Sequence, residues 1–320
     1  MFNFIVNLFP KPKNIIIMNK KNFNLLLIVG ILFFVMLSSC KKDDSTTSGP
    51  AAAIGPVPTT FTQKAMIEEV TGTGCSWCVL GMEGIQTAMN ANPGKVCAIS
   101  LHGYTANDPM NVPECATLNG FTGNGSYPHF QLNRGTGGGF SQDLTAFPKL
   151  VATALTSTVA ECGLAIDAKK SSGNDVSFIV HAGFKSALTG DYRLVVYLVE
   201  DEVQNADPLY NQNNVAVSGN VTYKNCSYYS LPPTLTNFIH KHVGRKCLNA
   251  SLIEGDQIPA ANVKAGKEYT KTYTYTITSA AWNSANMSVI ACILKYDAVC
   301  TNQRILNSQT VKLGSAKNWD

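Results

Sequence analysis

The sequence has little charge: Asp, Glu, Lys and Arg together make up 14% of its 320 residues. Its formal net charge of +4 arises from lysines in residues 1–39, because the rest of the chain holds 21 basic and 21 acidic residues. A neutral body without a basic patch argues against nucleic-acid binding. A hydrophobic content of 45% excludes a disordered chain.

An apolar run long enough for a comfortable membrane span, about 20 residues, is also lacking. The run from Leu25 to Leu37 has 13 residues and follows the basic pair Lys20-Lys21. A positive segment followed by a short apolar segment is typical of a signal peptide. An uncleaved N-terminal anchor helix is the alternative.

Small residues precede a cysteine at Leu37-Ser38-Ser39-Cys40, which resembles the lipobox of bacterial lipoproteins. We therefore expect residues 1–39 to be a lipoprotein signal peptide, with Met18 as an alternative start. The mature chain would begin at Cys40, which would carry the lipid.

The residues after Cys40 indicate an exported, tethered protein. Lys41-Lys42-Asp43-Asp44 resembles the export signal of surface-exposed lipoproteins in Bacteroidetes-type bacteria, and an ordinary solvated linker is the alternative. Residues 40–60 are rich in Ser, Thr, Pro, Gly and Ala and predict a flexible tether. The sequence has ten cysteines, which suit an oxidising compartment.

Residues 61–160 predict an α/β domain. Lys64–Val70 has the branched apolar character of a buried strand. A helical pattern follows Cys78, with Val79, Met82, Ile85 and Met89 on one face, and Asn92-Pro93-Gly94 stops it. Residues 96–101 predict a second strand. The order strand, helix, strand predicts a parallel crossover. A Cys-x-x-Cys motif between such a strand and its helix is typical of a thioredoxin-like domain.

Cys75 and Cys78 are the candidate catalytic pair. Two intervening residues bring both sulfurs to the first helical turn, where free N–H groups and the helix dipole favour a thiolate. We expect Cys75 to be the nucleophile and Cys78 the resolving thiol. A permanent structural disulfide is the main alternative. Half of a zinc site is another, but Cys97 and His102 do not form a paired ligand motif, so no metal is expected.

Further candidates surround this pair. Glu69 is placed to act as a buried acid that takes a proton from the resolving thiol, unless it caps the strand end in solvent. Pro128 is a candidate cis-proline beside the disulfide, or else it opens an edge strand. Trp77, Tyr127 and His129 are the candidate substrate contacts, and His129 is also placed to tune the thiolate.

Residues 161–320 predict an all-β immunoglobulin-like sandwich, since short strands alternate with polar turns. An insertion at about 201–250 interrupts the strands with Asn- and Tyr-rich loops. It contains His240 and His242, which would share a face of a strand and could bind metal. No third ligand is evident, so packing or hydrogen bonding is the favoured role.

The remaining cysteines leave the disulfide pattern open. Cys292 and Cys300 flank a predicted hairpin and could pair, and Cys226 and Cys247 could close the insertion, but spacing decides neither. Without Cys40 the number is odd, and we expect Cys97 to be a free core thiol. The residues whose pairing stays open are Cys97, Cys115, Cys162, Cys226, Cys247, Cys292 and Cys300.

Together, the lipobox, residues 67–72 leading into Cys75-Ser-Trp-Cys78, His102-Gly103, Tyr127-Pro128 with Asn133-Arg134, and residues 240–245 resemble a Bacteroidetes outer-membrane protein family named for a twenty-eight-kilodalton member. The resemblance implies a thioredoxin-like domain followed by a β-sandwich on the outer membrane. Two features depart from that pattern: Val79 stands where relatives usually have proline, and Cys247 is an additional cysteine.

Two functions are therefore weighed. The first is thiol–disulfide exchange by an outer-membrane-anchored lipoprotein, with extended cysteine-containing proteins as substrates and no cofactor. The second is a surface-exposed binding or adhesive lipoprotein in which the disulfide between Cys75 and Cys78 is purely structural. Burial of both sulfurs would favour the second function.

Overall fold

The computed structural model describes residues 54–113, 117, 125–170, 174–251 and 254–320. The predicted signal peptide, the lipidation site Cys40, most of the tether and Cys115 lie outside the described residues. Within the described ranges there are two α-helices, α1 (Cys78–Ala91) and α2 (Ala146–Thr156). None of the helices described is long and apolar enough to cross a membrane.

Most of the regular structure consists of strands. They are β1 (Ala65–Thr71), β2 (Val96–His102), β3 (His129–Leu132), β4 (Thr136–Gly139), β5 (Cys162–Lys170), β6 (Asp175–Phe184), β7 (Asp191–Glu200), β8 (Gln212–Asn213), β9 (Thr234–Leu235), β10 (Val243–Cys247), β11 (Asp256–Gln257), β12 (Glu268–Thr276), β13 (Met287–Tyr296), β14 (Arg304–Lys312) and β15 (Ala316–Lys317).

The strands form three sheets in the described part of the chain. A nine-stranded sheet has the order β14-β13-β7-β10-β2-β1-β3-β4, and β11 pairs with β7. A four-stranded sheet has the order β12-β6-β5-β15, and β8 pairs with β9. Strands from before and after residue 160 therefore share the large sheet.

The predicted strand–helix–strand unit is confirmed. β1 and β2 pair in parallel, with Ile67 opposite Ala98, and α1 connects them. Alternate residues of β1 face opposite sides, so Ile67 packs toward the helices while Met66 and Val70 enter a core shared with β7 and β13. Glu69 lies on the same side of β1 as Ile67 by this alternation.

Residues Leu194 to Val199 of β7 form an unbroken apolar run because both faces of this strand are buried. Leu194, Val196 and Leu198 pack toward the four-stranded sheet, whereas Val195, Tyr197 and Val199 pack toward β1 and β2. The two sheets face each other across the first of these cores. The predicted β-sandwich is confirmed at the level of a β-rich, sandwich-like architecture.

The predicted insertion at 201–250 is more ordered than its loop-like sequence indicates. It contributes β10, which pairs with β7 in antiparallel and with β2 in parallel orientation. Gly244 in β10 allows this close approach, because a Cβ at that position would meet Ile99 at 3.0 Å. The insertion therefore also contributes to the large sheet.

Candidate functional site

Cys75 and Cys78 form a disulfide at the start of α1. The helix begins at Cys78. Cys75 therefore lies in the turn before the helix and not in the first helical turn, where the sequence predicts it. The Cys78 N–H donates to the Cys75 carbonyl at 3.2 Å. Both residues are buried, with exposed fractions of 3% for Cys75 and 0% for Cys78.

The loop before Cys75 is held by a buried carboxylate. Asp108 Oδ2 accepts hydrogen bonds from the Thr73 N–H and from His102 Nδ1, both at 2.9 Å. Asp108 Oδ1 accepts from the Met110 N–H at 2.9 Å. Burial opposes ionisation of Asp108, but these donors outweigh it and lower the pKa of this carboxyl to about 2. The carboxylate thereby fixes the approach of the chain to the disulfide.

Residues 212–215, which we call the cap segment, lie over the same loop from the other side. Four successive carbonyls, those of residues 73–76, each accept a hydrogen bond from it. The donors are the Asn213 N–H (2.9 Å), Asn213 Nδ2 (3.0 Å), Gln212 Nε2 (2.9 Å) and the Val215 N–H (3.0 Å), in that order. The carbonyls of the disulfide loop are thus bound to the predicted insertion.

The cap segment is itself anchored in the insertion and on α1. The Asn214 N–H donates to the Pro233 carbonyl at 2.9 Å. Val215, at the end of the cap segment, and Ala216 after it belong to a cluster with Val79 and Leu80 of α1, which also includes Tyr223 and Cys226. Trp77, between the two cysteines, is 45% exposed and meets the Tyr223 ring edge-on at 5.7 Å. The insertion therefore packs against Trp77 and the first turn of α1, next to the disulfide.

Glu69 lies beneath the start of α1. Its side chain is fully buried, Ser100 Oγ donates to Oε2 at 2.7 Å, and Oε1 has no partner among the described residues. Oε1 approaches Gly81, three residues after Cys78, so closely that a Cβ there would collide with it. Burial outweighs the hydrogen bond from Ser100 and raises the pKa of Glu69 to about 8.

The alternative in which Glu68 or Glu69 caps the strand end in solvent is wrong, because both side chains are fully buried. Glu68 points to the opposite face of β1, where Arg134 Nε and Nη2 donate to it at 3.0 and 2.9 Å. The Tyr197 hydroxyl also donates to it, at 2.7 Å. The adjacent glutamates thus have different environments, one ion-paired and one without a charged partner.

The Tyr127–Pro128 peptide bond is cis, as predicted. The Tyr127 ring meets Tyr104 edge-on at 5.3 Å, and the Tyr104 ring passes 3.4 Å from where a Cβ of Gly74 would lie. Tyr127 therefore reaches the disulfide loop through Tyr104, which is 48% exposed.

His129 is buried beside Pro128 rather than presented at the surface. It opposes Val70 of β1 in the sheet, and its Nδ1 has no partner among the described residues. Burial lowers the pKa of His129, which favours the neutral imidazole. A substrate would contact this ring only after the surrounding chain moves.

The His-x-His pair has packing and hydrogen-bonding roles. His240 Nε2 donates to the Tyr210 carbonyl at 2.8 Å, and burial lowers the pKa of His240 to about 3. His242 Nδ1 lies 3.0 Å from Asp201 Oδ1. Among the described residues, no three His, Cys, Asp or Glu side chains are grouped so that they could hold a metal ion.

Among the described cysteines, the disulfide between Cys75 and Cys78 is the only one formed. Neither of the pairings considered, Cys292 with Cys300 and Cys226 with Cys247, is formed. Cys300 is exposed, whereas Cys97, Cys162, Cys226, Cys247 and Cys292 are buried. Burial raises the pKa of Cys97, so this thiol is held in its unreactive neutral form.

Three parts of the site are not recognisable from sequence. They are the Asp108–His102 pair, the exposed ring of Tyr104, and the cap segment, which is 137 residues from Cys75 at its Gln212 contact. The cap segment binds backbone carbonyls, which every residue has. No residue pattern in the sequence therefore predicts these contacts.

The fold and the site define a β-rich protein with a disulfide at the start of a helix that connects parallel strands. Residues 116–317 match the family Outer membrane protein Omp28, and the chain belongs to this family. Membership places the protein at the outer membrane. The matched residues begin after Cys75 and Cys78, so the match carries no information about the disulfide.

The solved structures that match this chain have low sequence identity to it. HBP35 of Porphyromonas gingivalis is 15% identical, with a TM-score of 0.62 over 81% of this chain and 78% of that one. A protein from Agrobacterium tumefaciens is 14% identical, with a TM-score of 0.47 over 79% and 96% of the chains. A domain of the outer membrane lipoprotein Omp28 from Porphyromonas gingivalis is 16% identical, with a TM-score of 0.28 over 51% and 93%. No curated protein sequence matches this one.

Proposed function

We propose that this protein is a lipid-anchored thiol–disulfide exchange protein of the outer membrane. Residues 61–160 form a thioredoxin-like domain and residues 161–320 an immunoglobulin-like sandwich, while a lipid on Cys40 supplies the anchor. The observation that carries the proposal is the Cys75–Cys78 disulfide with the buried Glu69 beneath its helix.

The exchange reaction uses both sulfurs. In the reduced protein, the Cys75 thiolate attacks a substrate disulfide, forms a mixed disulfide and releases the other substrate sulfur as a thiolate. Cys78 then loses its proton and attacks Cys75 Sγ, which closes the Cys75–Cys78 disulfide and releases the substrate as a dithiol. A thiol reductant of the cell envelope would return the pair to the dithiol form.

Glu69 is the proposed base for Cys78. Its pKa of about 8 is close to that of an ordinary cysteine thiol, about 8.5, so a proton moves between them at little cost in free energy. The ionised form of Glu69, a minor fraction at neutral pH, accepts the proton as Cys78 attacks, and the neutral acid returns it in the reverse direction. The collision that a Cβ at Gly81 would make with Oε1 supports this close approach to α1.

Substrate would bind beside the disulfide, on the exposed aromatic rings. Trp77 and Tyr104 are 45% and 48% exposed, and Tyr127 packs against Tyr104. Exposed apolar side chains of this size are suited to an extended protein segment that carries a cysteine. Pro128 would present the backbone that pairs with such a segment.

The cap segment must open before Cys75 reacts, because Cys75 is buried beneath it. Four hydrogen bonds hold the cap segment to the loop, and each contributes about 1 kcal/mol net. Opening therefore costs about 4 kcal/mol, which leaves about one molecule in a thousand open. The resting protein reacts slowly, and a substrate that displaces the cap segment reacts faster.

The burial of both sulfurs favours a second function, in which the disulfide is permanent and the protein is a surface binding or adhesive lipoprotein. A structural disulfide resists reduction, so a disulfide that thiols reduce as readily as that of thioredoxin would argue against this second function. The two functions differ in whether Cys75 forms covalent intermediates with substrate.

Trapping the mixed disulfide tests the proposal. The Cys78→Ser variant lacks the resolving thiol, so its Cys75 should stay linked to a disulfide-containing peptide, and intact-protein mass spectrometry would show the added mass. The Cys75→Ser variant is the matched control and should form no such adduct. Equal adduct formation in both variants, or none in either, contradicts exchange through Cys75.

A further inference from the structure

The strand β12 lies at one edge of the four-stranded sheet and, in the part of the chain that the structure describes, pairs with β6 alone. It has nine residues, and its pairing with β6 runs through all of them without a register shift. Edge strands are usually short, or are interrupted by a proline or a bulge, because their unpaired N–H and C=O groups invite another chain to pair. β12 has no proline and no bulge, so neither feature protects this long edge.

The backbone groups that β12 directs away from its sheet belong to threonines. Directly after the strand, the Ile277 N–H donates to the Asn174 carbonyl at 2.9 Å, so the residues at odd positions bond toward β6. The Glu268 carbonyl fits this alternation, since it accepts from Asn262 Nδ2, outside β6, at 2.8 Å. The residues whose N–H and C=O groups point away from the sheet are therefore Thr270, Thr272, Thr274 and Thr276.

The side chains of β12 differ between its two faces. The four threonines are exposed, whereas Tyr269, Tyr273 and Tyr275 pack toward the core between the two sheets. Lys271 is on the same side as the tyrosines, and its Nζ lies 3.0 Å from Asp256 Oδ2 of the same chain. A charge on the inner face of an edge strand normally discourages pairing. Because Asp256 already neutralises Lys271, a partner strand would not leave this charge unpaired.

The sequence of β12 is complementary to itself in one antiparallel register, the one that places Tyr273 opposite Tyr273 of a second copy. The pairs that then oppose each other are Thr270 with Thr276, Thr272 with Thr274, and Lys271 with Tyr275. Every N–H and C=O group that the threonines direct outward meets its counterpart in this register. Opposed threonines stabilise a sheet, and no two like charges face each other.

We propose that β12 is a dimerisation edge, at which two copies of this chain pair as antiparallel strands about a two-fold axis. The four-stranded sheets of the two copies then join into one continuous sheet. The occupant is a second copy because a two-fold axis requires a self-complementary surface, and the alternation of threonine with tyrosine and lysine supplies one. The disulfide loop and the cap segment contribute no residue to this edge.

Sedimentation equilibrium of the full chain in density-matched detergent tests the proposal. All variants carry Cys300→Ser, so that this exposed thiol cannot link two copies. The otherwise unaltered protein should be dimeric at micromolar concentrations. Thr274→Pro removes an outward N–H from each copy and should raise the dissociation constant of the dimer about thirtyfold, while the fold is retained because this N–H points away from β6. Thr274→Val keeps the N–H and is the matched control, which should dimerise normally.

Charge variants test the register. Thr272→Glu with Thr274→Glu, and Thr272→Lys with Thr274→Lys, should each be monomeric, whereas a mixture of the two should dimerise because Glu then faces Lys. A protein without these charges that stays monomeric would overturn the proposal and leave the edge to an extended strand of another protein or to solvent. A dimer that Thr274→Pro does not weaken would place the contact elsewhere and overturn it equally. These measurements involve no thiol chemistry, so their outcome is independent of the proposed exchange activity.

Discussion

Gln212 donates from Nε2 to the carbonyl of Cys75 at 2.9 Å, although 137 residues separate them in the chain. This contact joins the insertion of the β-sandwich to the disulfide loop. It belongs to a set of four hydrogen bonds that cover residues 73–76. In the proposed mechanism, access to the disulfide depends on this segment, which contains no cysteine.

Removal of the side-chain donors of the cap segment should expose the disulfide. Gln212→Ala with Asn213→Ala deletes the bonds to the Cys75 and Gly74 carbonyls, a loss of about 2 kcal/mol. Reduction by dithiothreitol should accelerate about thirtyfold, as followed by thiol alkylation and mass spectrometry. Asn205→Ala, in the same insertion, is the matched control. An unchanged rate in the double variant would show that the cap segment does not limit access.

Glu69 should make the stability of the protein fall as pH rises. Its folded-state pKa is raised from 4.5 to about 8, so the contribution of this group is full below about pH 4.5 and is lost as pH rises through about 8. The loss amounts to roughly 5 kcal/mol. In Glu69→Gln this loss should disappear, because the amide stays neutral.

Urea denaturation of the oxidised protein across this pH range checks the effect of Glu69. The variant Glu83→Gln, at a partly exposed glutamate of α1, is the control and should follow the wild type. A wild-type profile that rises with pH, or one that Glu69→Gln leaves unaltered, would mean that Glu69 is not a buried neutral acid.

Asp108 should have the opposite pH dependence. Its folded-state pKa is lowered from 3.8 to about 2, so its stabilisation is present above about pH 4 and is lost as pH falls through about 2. Asp108→Asn should lower the unfolding free energy at neutral pH by about 2 kcal/mol, because a charged acceptor of three hydrogen bonds is replaced. Unfolding followed by circular dichroism from neutral to acid pH would detect both the acid loss of stability and the effect of Asp108→Asn. If Asp108→Asn is as stable as the wild type at neutral pH, Asp108 does not stabilise the loop.

The ion pair between Glu68 and Arg134 should act as a unit. Arg134→Met leaves a buried carboxylate without its cation and should destabilise the protein by about 3–5 kcal/mol. Adding Glu68→Gln to Arg134→Met removes the unpaired carboxylate charge. The double variant should therefore regain part of the unfolding free energy that Arg134→Met loses. Thermal unfolding of the two single variants and the double variant gives the coupling free energy, and strictly additive effects would contradict a coupled pair.

The local elements of the fold could be predicted from the sequence, since hydrophobic periodicity and turn residues specify them. The pattern around Val79 and Ile85 located α1, and short strands between polar turns marked the β-rich second half, although burial of β7 on both faces was not predicted. β10 was interpreted as part of a loop because it has five residues, including Gly244 and Arg245. Only its pairing with β2 and β7, both far away in sequence, makes it a strand.

The candidate site was predictable where its residues are close in the chain or on adjoining strands. Spacing indicated the Cys75–Cys78 pair, whereas the environment of Glu69 stayed open because alternation in β1 does not reveal that both faces are covered. The cap segment depends on backbone contacts across more than a hundred residues, which no local pattern encodes.

Insulin reduction tests the central claim most directly. With dithiothreitol as the electron source, the wild-type protein should accelerate insulin precipitation, the Gln212→Ala with Asn213→Ala variant should be faster still, and Cys75→Ser should match the uncatalysed rate. If the Cys75→Ser variant is as active as the wild type, or if the wild type does not exceed dithiothreitol alone, the account of Cys75 as an exchange nucleophile is contradicted.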